Sequence, residues 1–459
     1  FEAGLSAGGL DEFDIIGFDA CLMGSWETAS TLAPYGEFFI ASEDLEPGHG
    51  WDFTSLRTLL TDPSRLPEDL GRDIVDGFAS QGAQAGTGHT LTLSLVDLYR
   101  VTAVTSALEE LSEQMVGNLA IGLPAIATAR MNTLTFGNNA DPTAAFHMMD
   151  LSQFGQNLST STPALSGAAS ALVDALSAAI RHHIAGSAVA RARGMSIYFP
   201  LQPALYKNAY GGLPVHPAWS AFLTAFLSHA GSGDNTVPTF TNAGHVADAY
   251  WDDEYGYVVS GSIAPSQVSL VTSAYMNYAI QYAGEGVYLI LGSAIAVVDT
   301  SGLILSVWDG ETLVLSQGDQ STLGYWETAE EGTTMVSRIP FLYEAAATGA
   351  RHEAILTYVS DETGLLSATW YVITPQGVSE LFPWPGDLLI PLLRVYNPAD
   401  GTIQWLPSGD VVFAADQPVD ISFENLLPAL PSGTVIELDL FAENAAGNGD
   451  VVSAEDVIP

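Results

Sequence analysis

The chain has 459 residues, too many for one ordinary domain and about right for two or three. With 47% hydrophobic and 14% charged residues it has enough apolar matter for a core, which excludes disorder. Acids number 53 and bases 12, for a net charge of −41, which excludes nucleic acid and anionic membranes as partners.

No run reaches the roughly 18 unbroken apolar residues of a membrane helix. The most apolar region, Tyr288 to Trp308, is interrupted by Ser293, Asp299, Ser301 and Gly302. Phe1 opens a stretch with Glu2, Asp11 and Glu12 and no basic leader, so no signal peptide is expected and the chain reads as a soluble globular protein.

Asp14 to Ala20 (DIIGFDA) predicts a strand ending in Asp-Ala-Cys, followed by a helical stretch from Leu22 to about Leu32. Glu37 to Ala41 reads as the next strand, Pro47-Gly48-His49-Gly50 as a loop, and Thr90 to Val96 as an alternating strand. Val101, Val104, Leu108, Leu111 and Met115 fall at helical spacing, and Leu165 to Ile180 reads as a second long amphipathic helix. Gly194 to Phe199 (GMSIYF) is a buried-type strand stopped by Pro200. Such strand–helix units predict a largely parallel sheet with helices on both faces over residues 1–230.

The small polar run Gly231-Ser232-Gly233-Asp234, followed by Pro238, marks a domain boundary. Residues 235–459 are β-rich and punctuated by turns. Asp309-Gly310 predicts a hairpin between LILSVW and TLVLS, Asp361 to Gly364 one between AILTYVS and LLSATWYVI, and Asp400-Gly401 a further turn. Regular short strands of this kind predict one or two β-sandwich or barrel modules.

Cys21 is the single cysteine, so an internal disulfide framework and a multi-cysteine metal site are both excluded. Two readings stay open: an inert buried hydrophobe, or a nucleophile at the carboxyl end of a strand, where the following helix N-terminus favours a thiolate. Asp19, two residues earlier and on the same strand face, would raise the thiol pKa, which makes it a better binder of a cationic substrate group than an activator. None of the nine histidines ends a preceding strand of the same sheet. His49 reads as a solvated loop residue, and His182 and His183 as the end of a helix. Asp252-Asp253-Glu254 is oxygen-rich but lacks EF-hand spacing, so a solvated turn is the plainer reading. Trp308, Trp326, Trp370 and Trp384 fit core positions, or else a carbohydrate platform.

FDIIGFDACLMGSWETA, then ASEDLEPGHGWD, TLTLSLVDLYRV and RGMSIYFP, resemble the clostripain family of cysteine peptidases, over about Asp14 to Leu227 or half the chain. The resemblance implies an α/β caspase-like fold whose N-terminal strands are missing here, followed by the β-rich region. It makes Cys21 the nucleophile of an endopeptidase that cleaves after Arg or Lys. The family's catalytic histidine lies in a His-Gly motif on a strand before the cysteine strand. This sequence would then be a processed heavy chain, and its partner a histidine-bearing light chain from the same autoprocessed precursor. Asp19 matches one acid of the family's substrate pocket. The variable position of the E-P-G-x-G-W loop, where a second acid is expected, holds His49, with Glu43, Asp44 or Glu46 as substitutes. The resemblance further implies a secreted or cell-surface protein that acts on peptides, with calcium required by some members and no cofactor required for the chemistry. The scarcity of Lys and Arg fits such a specificity. The rival reading is a non-catalytic binding or structural subunit on the same scaffold, and a third takes the aromatic β-rich half as a glycan-binding module.

Overall fold

Alternation along Phe38-Phe39-Ile40-Ala41 gives one strand two buried faces, and each face has its own helical cover. Phe38 and Ile40 pack with Leu70, Ile74, Val75 and Phe78, while Phe39 and Ala41 join the core that includes Val104, Leu172 and Phe222. The computed structural model describes residues 7–9, 12–213, 217–231, 237–281, 286–331, 334–374, 377–399, 401–444 and 447–459. The expected boundary at residues 231–234 falls mostly outside them.

In the first half the elements are β1 (Phe13–Gly17), α1 (Trp26–Leu32), β2 (Gly36–Ala41), α2 (Pro67–Ala85), β3 (Thr92–Asp97) and α3 (Val101–Met131). They continue with β4 (Thr135–Phe136), β5 (Met148–Asp150), α4 (Leu151–Ser161), α5 (Ser166–Ala179), β6 (Ile180–Ala185), β7 (Ser196–Tyr198) and α6 (Pro217–Gly231). α2 starts on a proline, carries Glu68 and Asp69 in its first turn, and stops at Gly86 with φ +76°. The apolar residues expected on α3 are all buried, but the helix runs on through Pro124 to Met131.

The main sheet has the order β1-β2-β3-β6. Helices cover both faces as expected, but the parallel direction is not general. Only β1 and β2 pair in parallel, whereas β2–β3 and β3–β6 are antiparallel. The long connection after β2 explains this. Glu68 at the start of α2 is ion-paired to Arg181 at the start of β6, while Gly82 near its end rests on Leu91. The chain therefore descends along the sheet before α2 climbs it again, and β3 enters from the end where β2 leaves.

Three further expectations are corrected. The strand at SIYF (β7) pairs with β5 in a small antiparallel group, not in the main sheet, and touches the segment after Cys21 through a Ser25–Ser196 bridge. His182 and His183 lie in β6 rather than at a helix end, because the helix stops at Ala179 and IRHHIA pairs with β3. Asp309-Gly310 does not close a hairpin. Leu303–Trp308 pairs with Gly256–Ser262, and Glu311–Gln317 with Asp420–Asn425, in two different sheets.

Beyond residue 237 the described residues form strands with a few short 3-10 turns. A long sheet runs from Gly377–Glu380 through Gly364–Thr374, Arg351–Asp361, Thr334–Glu344, Leu388–Asn397, Tyr288–Ile295, Ser273–Gln281 and Val435–Glu443 to Gly449–Val457. The hairpin across Asp361–Gly364 is as expected. One apolar cluster joins Val259, Ile304 and Trp308 to Met276, Tyr278 and Leu438, and another joins Leu313 and Leu315 to Phe341, Leu356 and Phe413. Trp308 is core, Trp326 and Trp370 pack against core, and Trp384 is exposed. Asp252 accepts the amides of Glu254 and Tyr255 at 2.8 and 3.1 Å and so closes a turn. Among the described residues no three His, Cys, Asp or Glu side chains converge to hold a metal. Nor is any described helix long and apolar enough to cross a membrane.

Candidate functional site

Two loops meet at the end of the main sheet where β1 and β2 finish. β1 stops at Gly17, so Asp19 and Cys21 lie in a loop rather than on one strand face. α1 begins only at Trp26 and has seven residues, so its N-terminus lies too far along the chain to favour a thiolate at Cys21. The loop is instead pinned by its backbone. The Leu22 amide donates to Asp44 O at 3.1 Å, the Gly24 amide to Ser42 O at 2.6 Å, and the Ser196 amide to Gly24 O at 2.9 Å. Leu22 adopts φ +62°, a left-handed conformation that leucine takes only when its surroundings impose it.

The opposing loop, residues 42–51, is anchored by β3. Thr92 Oγ1 accepts the amides of Glu43 and Asp44, both at 3.1 Å, and shares a hydrogen bond of 2.8 Å with Ser42 Oγ. One buried hydroxyl thus supplies acceptors that the strand ladder cannot.

The described hydrogen bonds of Cys21 Sγ are both with Glu46: the Glu46 amide donates to it at 3.2 Å, and Sγ lies 3.9 Å from the Glu46 carbonyl. Burial, reinforced by the charges of Glu46 and Asp44, pushes the thiol up to about 11, although the Glu46 amide works against this. Cys21 is therefore a thiol at neutral pH and needs a proton acceptor to react.

Asp19 and Glu46 form a carboxyl pair beside it. Asp19 Oδ2 accepts the Trp51 amide at 3.2 Å, and Glu46 Oε2 accepts Trp51 Nε1, also at 3.2 Å. Glu46 is 5% exposed, and its other oxygen receives no donor. Burial and then the neighbouring Asp19 carboxylate push it up to about 9, so Glu46 holds a proton that it can share with Asp19.

The other expected pocket acids are placed differently. Glu43 is 1% exposed and points inward, where its carboxylate accepts the Gly194 amide at 2.7 Å beside Asp150. Burial, then mutual repulsion with Asp150, holds it well above the ordinary range. It ties the loop to the core and faces no substrate. Asp44 accepts the Gly137 amide at 3.1 Å and lines a cavity of about 230 Å³ with Thr133, Asn138, Arg338 and Tyr371. His49 is not a solvated loop residue, since Nδ1 meets Gly50 O at 2.8 Å, Nε2 meets Thr87 Oγ1 at 2.9 Å, and the ring packs against Phe78. His182 pairs with Asp76 at 2.7 Å. Burial lowers His147 to about 4 and also lowers His183.

Glu46 stood in the sequence only as one acid among several in its loop, and its partnership with Asp19 had no local signal. Tyr371 and Glu380, which also reach this site, had none.

Residues 3–223 match the Clostripain family. No match was found among curated proteins. Among solved structures the chain is similar to a cysteine protease of B. fragilis at 17% identity, over 49% of this chain and 92% of that one, with a TM-score of 0.32. It is similar to an inactive zymogen C11 protease from Parabacteroides distasonis at 19% identity, over 48% and 60%, with a TM-score of 0.36. A secreted C11 cysteine protease from Bacteroides thetaiotaomicron, in complex with an irreversible peptide inhibitor, is similar at 17% identity, over 46% and 59%, with a TM-score of 0.34.

Proposed function

Residues 3–223 belong to the clostripain family of cysteine peptidases, and from that premise we propose that the chain is the nucleophile-bearing part of a cysteine endopeptidase that cleaves after Arg or Lys. The observation that carries this reading is the meeting of Cys21 with the Asp19–Glu46 carboxyl pair on two mutually pinned loops. Cys21 attacks the scissile carbonyl. A histidine takes the thiol proton and later gives it to the departing amine, and water then hydrolyses the thioester and frees the thiol. The raised thiol requires such a base.

We assign that histidine to a light chain from the same precursor. β1 is the last strand of the main sheet among the described residues, bonded to β2 on one side, and its other edge can accept a strand carrying the base. The amides of Leu22, Gly24 and Ser25 are committed to carbonyl oxygens, so the oxyanion donors in this loop come from the remaining amides, those of Cys21 and Met23. Asp19 and Glu46 together take a cationic side chain, and entry of that cation releases the proton they share. The proposal places the protein outside the cell or on its surface, with no cofactor in the chemistry and calcium in a structural role at most.

The test is labelling with a peptidyl-Arg or peptidyl-Lys acyloxymethyl ketone, read by intact mass on the naturally processed protein. One adduct on Cys21, lost in Cys21→Ala and weakened at least tenfold in Asp19→Asn, is expected. Labelling only by a non-basic probe refutes the basic preference. No labelling by either probe, with the light chain present, refutes the peptidase reading and leaves a non-catalytic subunit.

A further inference from the structure

The end of the long β sheet farthest from the chain terminus lies on the Cys21 loops. Its last two strands, Gly364–Thr374 and Gly377–Glu380, form a hairpin, and three residues from this hairpin and the segment after it reach the site. Tyr371 is 2% exposed, and burial followed by the negative charges of Asp44, Cys21, Glu380 and Glu46 holds its phenol well above the ordinary range. The Gly48 amide, within the E-P-G-x-G-W loop, donates to the Glu380 carboxylate. The Phe382 ring lies flush on Gly48, where a β-carbon would overlap it. Two further contacts seat the same sheet on the α/β half. Val336 and Val359 enclose Ala188, and Arg338 shares the cavity beside Asp44.

In open α/β sheets ligands approach at the carboxyl ends of the strands, and the loops after β1 and β2 are those ends. An extended peptide must therefore pass the 46–51 loop to reach Sγ, and that approach is already bordered by Tyr371, Glu380 and Phe382 of the same chain. We infer that Glu380 and Phe382, at the end of this hairpin and just after it, form a strap that closes the Cys21 site in this form of the chain and must swing off Gly48 before a peptide can lie against the sulfur. The contacts suit a removable cover. Glu380 and Phe382 touch only the rim of the site, Phe382 is 60% exposed, and neither belongs to an apolar cluster. Leu381 and Val372 stay in the apolar cluster with Phe341, so only the Glu380 and Phe382 side chains need to move. An anionic strap beside an anionic pocket also adds like charge, so its hold is weaker than a cation's would be. The substrate consequence rests on the peptidase reading above, whereas the cover itself does not.

Cys21 is the only cysteine, so alkylation of the whole chain by iodoacetamide, counted by intact mass, reports access to one sulfur whether or not the protein is a peptidase. The comparison is between the wild type, Glu380→Gln, Phe382→Ala and the double variant, with thermal unfolding of each as a folding control. The expected result is alkylation at least tenfold faster in the double variant, by the same factor at every pH from 7 to 10. An unchanged rate overturns the strap. A slower rate also overturns it, making the hairpin a supporting wall of the site. A gain that varies with pH overturns it too, since the variants would then have changed the thiol's ionisation rather than its access. Faster alkylation without peptidyl-Arg ketone labelling upholds the strap and removes the peptidase reading.

Discussion

Glu46→Gln isolates the proton shared by Glu46 and Asp19. A carboxyl raised from 4.5 to about 9 keeps in the folded chain a proton that the unfolded chain loses above 4.5. Its contribution to stability is therefore complete below 4.5 and is lost as pH rises toward 9, at up to about 1.4 kcal/mol per pH unit. Between pH 5.5 and 8.0 the wild type should lose about 3 kcal/mol through this one group. Glutamine has no proton to lose, and it keeps both contacts: its carbonyl accepts from Trp51 Nε1 and its amide donates to Asp19. Acids that do not touch Glu46 titrate alike in the two proteins and cancel in the difference. Tm measured by tryptophan fluorescence at pH 5.5, 6.5 and 8.0 should therefore show the variant ahead by a gap that widens with pH, from about 1.4 kcal/mol at pH 5.5, one unit above the unfolded value. The gap should grow by roughly 6–12 °C between the lowest and the highest pH, taking about 2–4 °C per kcal/mol for a unit of this size. A gap that stays within about 1 °C across the range would refute the reasoning, since it would mean that Glu46 ionises freely and the pair shares no proton.

Thr92→Val keeps the shape of the side chain but leaves the Glu43 amide without its acceptor and the Asp44 amide with only the longer bond to Ser42 Oγ at 3.3 Å. It should cost about 2–3 kcal/mol in urea unfolding and lower the rate of Cys21 labelling by the peptidyl ketone. Gly24→Ala puts a β-carbon 2.7 Å from the Ser42 carbonyl carbon, a backbone atom that cannot step aside. It should destabilise by about 1–3 kcal/mol and reduce ketone labelling more than urea stability alone accounts for, because Cys21 is carried with the displaced loop.

What could be read from the residues follows the range over which each signal acts. Phe38 to Ala41 was legible because alternation and β-branched bulk are local, as were the buried positions of α3. Strand direction was not, because nothing between Ser42 and Leu66 states that the chain descends the sheet before α2 begins. Asp309-Gly310 shows the same limit. Gly310 does turn the chain, with φ +87°, but a turn residue sets only the reversal, and burial of Trp308 and Leu313 in separate cores chose the partners. His182 and His183 were misplaced because helix and strand periods cannot be told apart over a few residues next to a helix end. At the site, Cys21 and Asp19 stood out by their setting. Glu43 did not betray its inward turn, because burial beside Asp150 depends on a chain segment more than a hundred residues away.

The Gly48–Glu380 contact joins positions separated by 332 residues. A chain made from its N-terminus exposes Gly48 long before Glu380 exists, an interval of roughly 20–70 s at ordinary rates of synthesis. The half that carries Cys21 can complete its own two cores within that time, since no residue of either comes from beyond position 231. The sulfur is thus assembled first and covered last, so truncated products released before residue 380 would carry an uncovered site.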